Sequence, residues 1–221
     1  MSSTTELDEI KKEIKGEEGV KIEEVNVLFL DISSSCTGYS IARVNFTNKT
    51  ANFKKSGCLW LNPDWSHQEK YSYMFNAIIN FFWIVEAIDY IVVEQYSVNP
   101  KKMRGINVVS EMQGAIKTAA WENGVKVSSI LPQTWRAALG IKKIKDSKGQ
   151  SDYKEPTKQY VLQHVQVPEM VKSNITNNDR QTPSDLYDAI AVGMGWLTKL
   201  GFKVITFNNM EINPHLGVMI K

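Results

Sequence analysis

Apolar positions along the chain follow two rhythms: short unbroken runs, and runs in which every third or fourth residue is apolar. Residues 25–32 (VNVLFLDI) form a short apolar run that ends at a carboxylate, Asp31, and predict a buried strand. Small residues at 33–38 (SSSCTG) make a turn, and 39–44 and 51–61 predict two further strands joined by a turn at 45–50. Three consecutive strands with tight turns form an antiparallel meander. Ser66-His67-Gln68-Glu69 then fits a capping box, and Tyr71, Met74, Phe75, Ile78, Phe82 and Val85 follow at helical spacing. Residues 89–94 (DYIVVE) are a second β-branched run ending at a carboxylate, Glu94. A helix over 101–123 sets Val108, Met112, Ala115, Ile116 and Ala119 on one face and stops at Asn123-Gly124. Residues 125–130 predict a fifth strand, and Pro132 opens a short helix containing Trp135. The stretch 141–156, rich in Lys, Asp, Ser and Gly, predicts a flexible loop, followed by a helix over 157–166 and an irregular region over 168–181. A last helix starts with Thr182 as cap and Pro183 in first position. Its small residues (AIAVGMGW, 189–196) would let it press closely on a sheet.

These elements predict three parts: a mobile or loosely helical acidic arm over 1–24, one α/β domain over 25–200, and a tail over 201–221 with one candidate strand (FKVITF, 202–207). Three antiparallel strands followed by alternating helices and strands predict a mixed five-stranded sheet with helices on both faces. That is the element order of the ribonuclease H-like fold.

Composition, at 43% apolar and 23% charged residues, is that of a globular chain. The densest apolar stretch, 77–88, is broken by Asn80 and Glu86 and is too short to span a membrane. Cys36 and Cys58 lack the spacing of a disulfide framework or a zinc site. The first 24 residues have no hydrophobic stretch and no arginine, so neither a secretory signal nor a transit peptide is expected, and the chain reads as cytoplasmic. Charge is more informative. Residues 1–24 hold eight acidic residues against four lysines, while 101–172 hold 13 basic against six acidic. A basic middle in a chain of net charge +2 suits either a solvated lysine-rich face or an anionic partner, nucleic acid above all.

The carboxylates carry the chemistry. Asp31 ends the first strand, Glu94 ends the fourth, and Asp185 and Asp188 share one face of the last helix. Taken singly, Asp31 suits a turn cap, Glu94 a strand-end surface residue, and Asp185 a capping box with Thr182. Taken together, with the first and fourth strands adjacent and the helix beside them, they converge. Such a cluster is unfavourable without a counter-charge. Oxygen-only ligands suit two Mg²⁺ or Mn²⁺ ions, and such a pair clamps both oxygens of an in-line phosphoryl displacement. The residues thus predict a metal-dependent phosphodiester nuclease.

Three segments, VLFLDISSSCTGYSI (27–41), DYIVVEQYS (89–97) and SDLYDAIAVG (184–193), resemble the RuvC-like Holliday junction resolvases, most of all the diverged bacteriophage members. LPQTWR (131–136) and KQYVL (158–162) resemble the stretch before the last acidic helix, so the resemblance spans about residues 26–199. It implies that Asp31 bridges two metals, that Glu94 binds one, that Asp185 and Asp188 complete the site, and that Lys158 sits near the cleaved phosphate. It further implies a homodimer, formed through the helix at 103–121, that resolves four-way DNA junctions in recombination and repair, leaving 5′-phosphate and 3′-hydroxyl ends. Lys101, Lys102, Arg104, Lys142, Lys143, Lys145, Lys148 and Lys154 are the expected contacts to the DNA backbone. Two positions depart from the family pattern. Ile32-Ser33 replaces the usual Pro-Gly, and the aromatic wedge position is Ser97, with Tyr96 one residue earlier as the candidate for that role. Three other readings compete: a nuclease of the same fold that prefers flaps or Y-forks, a non-catalytic junction-binding protein, and, at greater distance, a sugar-kinase or actin-like ATPase.

Overall fold

The sheet begins with β1 (Glu24–Asp31), β2 (Cys36–Asn45) and β3 (Thr50–Trp60), which pair antiparallel in sequence order. Helix α1 (His67–Asn76) follows, continues as a π-helical segment (Ala77–Trp83), and leads into β4 (Tyr90–Glu94). The chain then alternates through α2 (Met103–Glu122), β5 (Lys126–Ile130) and α3 (Pro132–Ala138). A two-residue hairpin, β6 (Ile144–Lys145) with β7 (Ser151–Asp152), precedes α4 (Lys154–His164), α5 (Ser184–Lys199), β8 (Lys203–Ile205) and β9 (Glu211–Asn213). This computed structural model describes residues 9, 24–83, 86–95, 103–145, 151–165, 184–205 and 211–213.

Strand β1 lies at the centre, antiparallel to β2 and parallel to β4, which is parallel in turn to β5. Because side chains alternate along a strand, β1 feeds two cores. Val25, Val27 and Phe29 pack on one face with Leu186, Ile190 and Trp196 of α5, while Leu28 and Leu30 pack on the other with Met74, Met112 and Ile116. The apolar run that looks continuous in sequence is therefore a strand buried on both sides. Each fully buried large apolar side chain contributes roughly 1.5–3 kcal/mol.

The predicted ribonuclease H-like arrangement is present, with all five expected strands and helices on both faces of a mixed sheet. Among the described residues the sheet has seven strands rather than five. Strands β8 and β9 add in parallel to the outer edge of β3, at Thr50–Asn52 and Lys55–Gly57. Part of the segment read as a tail thus covers what would be an open edge. The capping box forms as expected: Ser66 Oγ accepts from Glu69 N at 3.2 Å, and Glu69 Oε2 accepts from Ser66 N at 2.7 Å. The loop expected over 141–156 contains the β6–β7 hairpin and the first turn of α4. The apolar face of α2 is core: Val108, Met112, Ala115, Ile116 and Ala119 are all buried. The opposite face holds Trp121, the most exposed large hydrophobic side chain among the described residues. Most of the acidic arm, the irregular stretch 168–181 and the Thr182-Pro183 cap lie outside the described residues.

Candidate metal and nucleic-acid site

Alternation along β1 and β4 explains where the carboxylates go. Asp31 follows Val27 and Phe29 in the two-residue rhythm, and Glu94 follows Tyr90 and Val92, so both face the α5 side of the sheet. The pairing of Leu30 with Val93 makes Asp31 and Glu94 the next neighbours in register. Across β1, Asp31 pairs with Gly38 of β2. A Cβ at Gly38 would collide with the backbone carbonyl of Asp185, so the glycine is what lets the start of α5 lie directly on the sheet. Further along α5, Gly195 packs against Trp135 of α3, where a Cβ would stand 2.6 Å from the Trp135 Cβ.

The result is a cluster in which carboxylate oxygens of Asp31, Asp185 and Asp188 lie within 4.8 Å of one another. Glu94 adjoins it through Asp31, whose pKa it raises by charge and by a shared hydrogen bond. Trp135, fully buried, donates Nε1–H to Glu94 Oε1 at 2.9 Å and fixes that carboxylate. Ser33 Oγ is 3.3 Å from Asp185 Oδ2 and also bonds the backbone of Cys36, so the turn after β1 holds the helix residue.

Burial is the main cause of strain in this cluster. It lifts Asp31 well above the usual carboxylate range, with Glu94, Asp188 and Asp185 adding repulsion. Asp188 is pushed up to about 7 by burial and by Glu94, against the opposing pull of Arg136 and Lys154. Burial also raises Asp185, while Lys154 and hydrogen bonds from Ser33 and Ser184 act to lower it. Half-buried carboxylates that repel one another, with all-oxygen donors at short range, fit a hard divalent cation.

A cleft of about 480 Å³ opens over Asp31 and Glu94 and is bounded by Arg136, Lys143 and Tyr153. A larger groove of about 640 Å³ runs along α1, lined by Trp65, Gln68 and Asn76, and includes none of the clustered carboxylates. Size alone does not mark the site.

The other expected residues distribute unevenly. Lys154 acts on Asp185 and Asp188, and Lys143 lines the cleft. Lys142 and Lys145 are exposed nearby in sequence, and Arg104 falls in the first turn of α2. Lys158 lies with its Nζ 5.9 Å from the ring centroid of Tyr187 and is not among the leading charges on either aspartate. Tyr96, Lys101, Lys102 and Lys148 lie outside the described residues. Trp135 and Arg136 fall within LPQTWR (131–136), where the sequence by itself assigns them no role. Their signal was the short helix after β5, whose place beside Glu94 follows from β4 and β5 being parallel neighbours.

The fold is similar to that of solved RuvC-type Holliday junction resolvases. The chain is similar to Thermus thermophilus RuvC, at 18% identity over 78% of this chain and 93% of that one, with a TM-score of 0.55. The same enzyme in complex with a Holliday junction substrate matches at 16% identity over 79% and 93%, with a TM-score of 0.51. The yeast mitochondrial Holliday junction resolvase Ydc2 matches at 12% identity over 88% and 85%, with a TM-score of 0.55. No protein-family model matches the chain, and no curated protein matches it by sequence.

Proposed function

We propose that this chain is a metal-dependent, structure-selective endodeoxyribonuclease that resolves four-way DNA junctions in the cytoplasm. The observation that carries the reading is the gathering of Asp31, Asp185 and Asp188 within 4.8 Å, with Glu94 against Asp31. These four carboxylates would hold two Mg²⁺ or Mn²⁺ ions. Bound there, the ions would polarise the phosphodiester and lower the pKa of the attacking water.

The chain's own residues set up the rest. Trp135 and Ser33 hold Glu94 and Asp185 in place before substrate arrives. Lys154 and Arg136 offset negative charge at the centre. Water adds to phosphorus and the P–O3′ bond breaks, leaving 5′-phosphate and 3′-hydroxyl ends. Lys158, beside the Tyr187 ring, remains the candidate near the cleaved phosphate, and Lys154, which acts on Asp185 and Asp188, is a second lysine for that role. Lys101, Lys102, Arg104, Lys142, Lys143, Lys145 and Lys148 would grip the backbone, and Tyr96 would open the junction. A junction presents two symmetric cut sites, so a homodimer completes the proposal, meeting through the exposed side of α2 because its apolar side is core.

The test is cleavage of a synthetic immobile four-way junction, a Y-fork, a flap and a linear arm, with Mg²⁺, with Mn²⁺ and with chelator. Paired cuts in the junction alone, only with metal, are expected, and Asp188→Asn should lower the rate at least ~10³-fold while leaving junction binding intact. Preferential cutting of forks or flaps would replace junction resolution with the related branched-DNA activity. Full cleavage by Asp188→Asn would overturn the site assignment.

A further inference from the structure

Beside the carboxylates, one aromatic ring holds two cations. Arg136 Cζ lies 4.5 Å from the Tyr153 ring centroid and 4.6 Å from that of Trp135, and Lys143 Nζ lies 5.2 Å from Tyr153. Arg136, Lys143 and Tyr153 border the same cleft as Asp31 and Glu94. The hairpin accounts for this placement. Ile144 pairs with Asp152 and Lys145 with Ser151, so Lys143 and Tyr153 fall opposite each other just beyond the last pair. Tyr153 also precedes α4, whose first residue, Lys154, acts on the aspartates.

Arg136 is held but not satisfied. Its Nε is buried with no hydrogen-bond partner, and its Nη2 is 3.8 Å from Glu94 Oε1, too long for a hydrogen bond. Of its donors, the two Nη groups are therefore the ones that can meet a phosphate, end-on and in a bidentate way. Two cations on one ring repel each other, and ring attraction offsets only part of that. Glu94, 3.8 Å from Arg136, offsets part of that repulsion on one side, and an anion bridging Arg136 and Lys143 would offset the rest.

Resting on the nuclease reading, we propose that Tyr153 is the positioning residue of a phosphodiester subsite in which Arg136 and Lys143 grip a backbone phosphate next to the carboxylate centre. The ring fixes both cations before DNA binds, and the hairpin sets how far the subsite stands from the cutting position.

The experiment measures affinity of the full chain for a synthetic four-way junction in metal-free buffer across a salt series. Tyr153→Leu should weaken binding about tenfold at ~0.1 M salt and reduce the slope of log K against log salt by about 1, while Tyr153→Phe, which keeps the ring, should match wild type. Lys143→Gln changes an exposed side chain and leaves the fold intact. It should lose about as much as Tyr153→Leu and add little to it in the double variant. Wild-type affinity and slope in Tyr153→Leu, or fully additive losses in the double variant, would overturn the subsite and leave the nuclease reading standing. A wild-type chain that binds no junction would remove both.

Discussion

At the scale of single residues, the cluster is poised against itself. Asp188 is raised from an ordinary 3.8 to about 7, and Asp31 and Asp185 are raised in the same direction, burial being the first cause in each. Between about pH 4 and 7 the folded chain binds more protons here than the unfolded chain, so its stability falls as pH rises through that window. For Asp188 the contribution is complete below about pH 3.8 and gone above about pH 7, and Asp31 and Asp185 add to it in the same direction. Thermal melts in chelator should therefore show a lower midpoint at about pH 8 than at about pH 5.5, and Mg²⁺ should restore much of the difference at about pH 8. Asp188→Asn should flatten both responses. A metal-free midpoint that rises with pH over this range would contradict the cluster's electrostatics. Asp31 and Glu94 were legible as candidates because each closes an unbroken apolar run, where a carboxylate has no packing reason to be. Arg136 was not, because what makes it informative is Tyr153, distant in sequence and brought to it by the hairpin.

At the scale of elements, what brings the carboxylates together is the approach of α5 to the sheet. Gly38 is where the first turn of α5 touches β2, and Gly193 and Gly195 continue the contact against Phe29, Phe53 and Trp135. Gly38→Ala should cost about 1–3 kcal/mol, because the new Cβ meets the Asp185 backbone rather than a side chain that can turn away. It should also weaken metal binding by lifting Asp185 off Asp31. Gly114→Ala is the matched control: it lies in α2 with open space around it and should be neutral or stabilising by up to ~1 kcal/mol. Chemical denaturation of the two variants decides it, and equal stabilities would remove the close-approach argument. The small-residue run of α5 announced this packing in the sequence, and the alternation of β1 announced its two-faced burial. Strand β9 did not announce itself, because three residues, Glu211-Ile-Asn213, are too short and too polar to produce a period. The β6–β7 hairpin was hidden in the same way, since Lys and Asp dominate its sequence and only two residue pairs form.

At the scale of the whole molecule, the uneven charge of the chain acquires a location. Arg136 and Lys143 border the cleft over Asp31 and Glu94, and Lys154 acts on Asp185 and Asp188, so on the proposed reading a phosphate backbone would meet positive charge at the rim and carboxylates at the floor. The ribonuclease H-like order was legible because the meander and the alternating half each have their own period, and strands one and four become neighbours in that topology. The extra edge strands widen the sheet beyond β3, on the far side of β2 from β1 and β4, which carry Asp31 and Glu94. The claim on which the account rests is that Asp31, Asp185 and Asp188 form a divalent-cation site. The most direct measurement is anomalous scattering from crystals of the full chain grown with Mn²⁺. The account predicts manganese bound among these three carboxylates and lost in Asp31→Asn, whereas a cluster left empty at millimolar Mn²⁺, or manganese bound equally by both proteins, would contradict it.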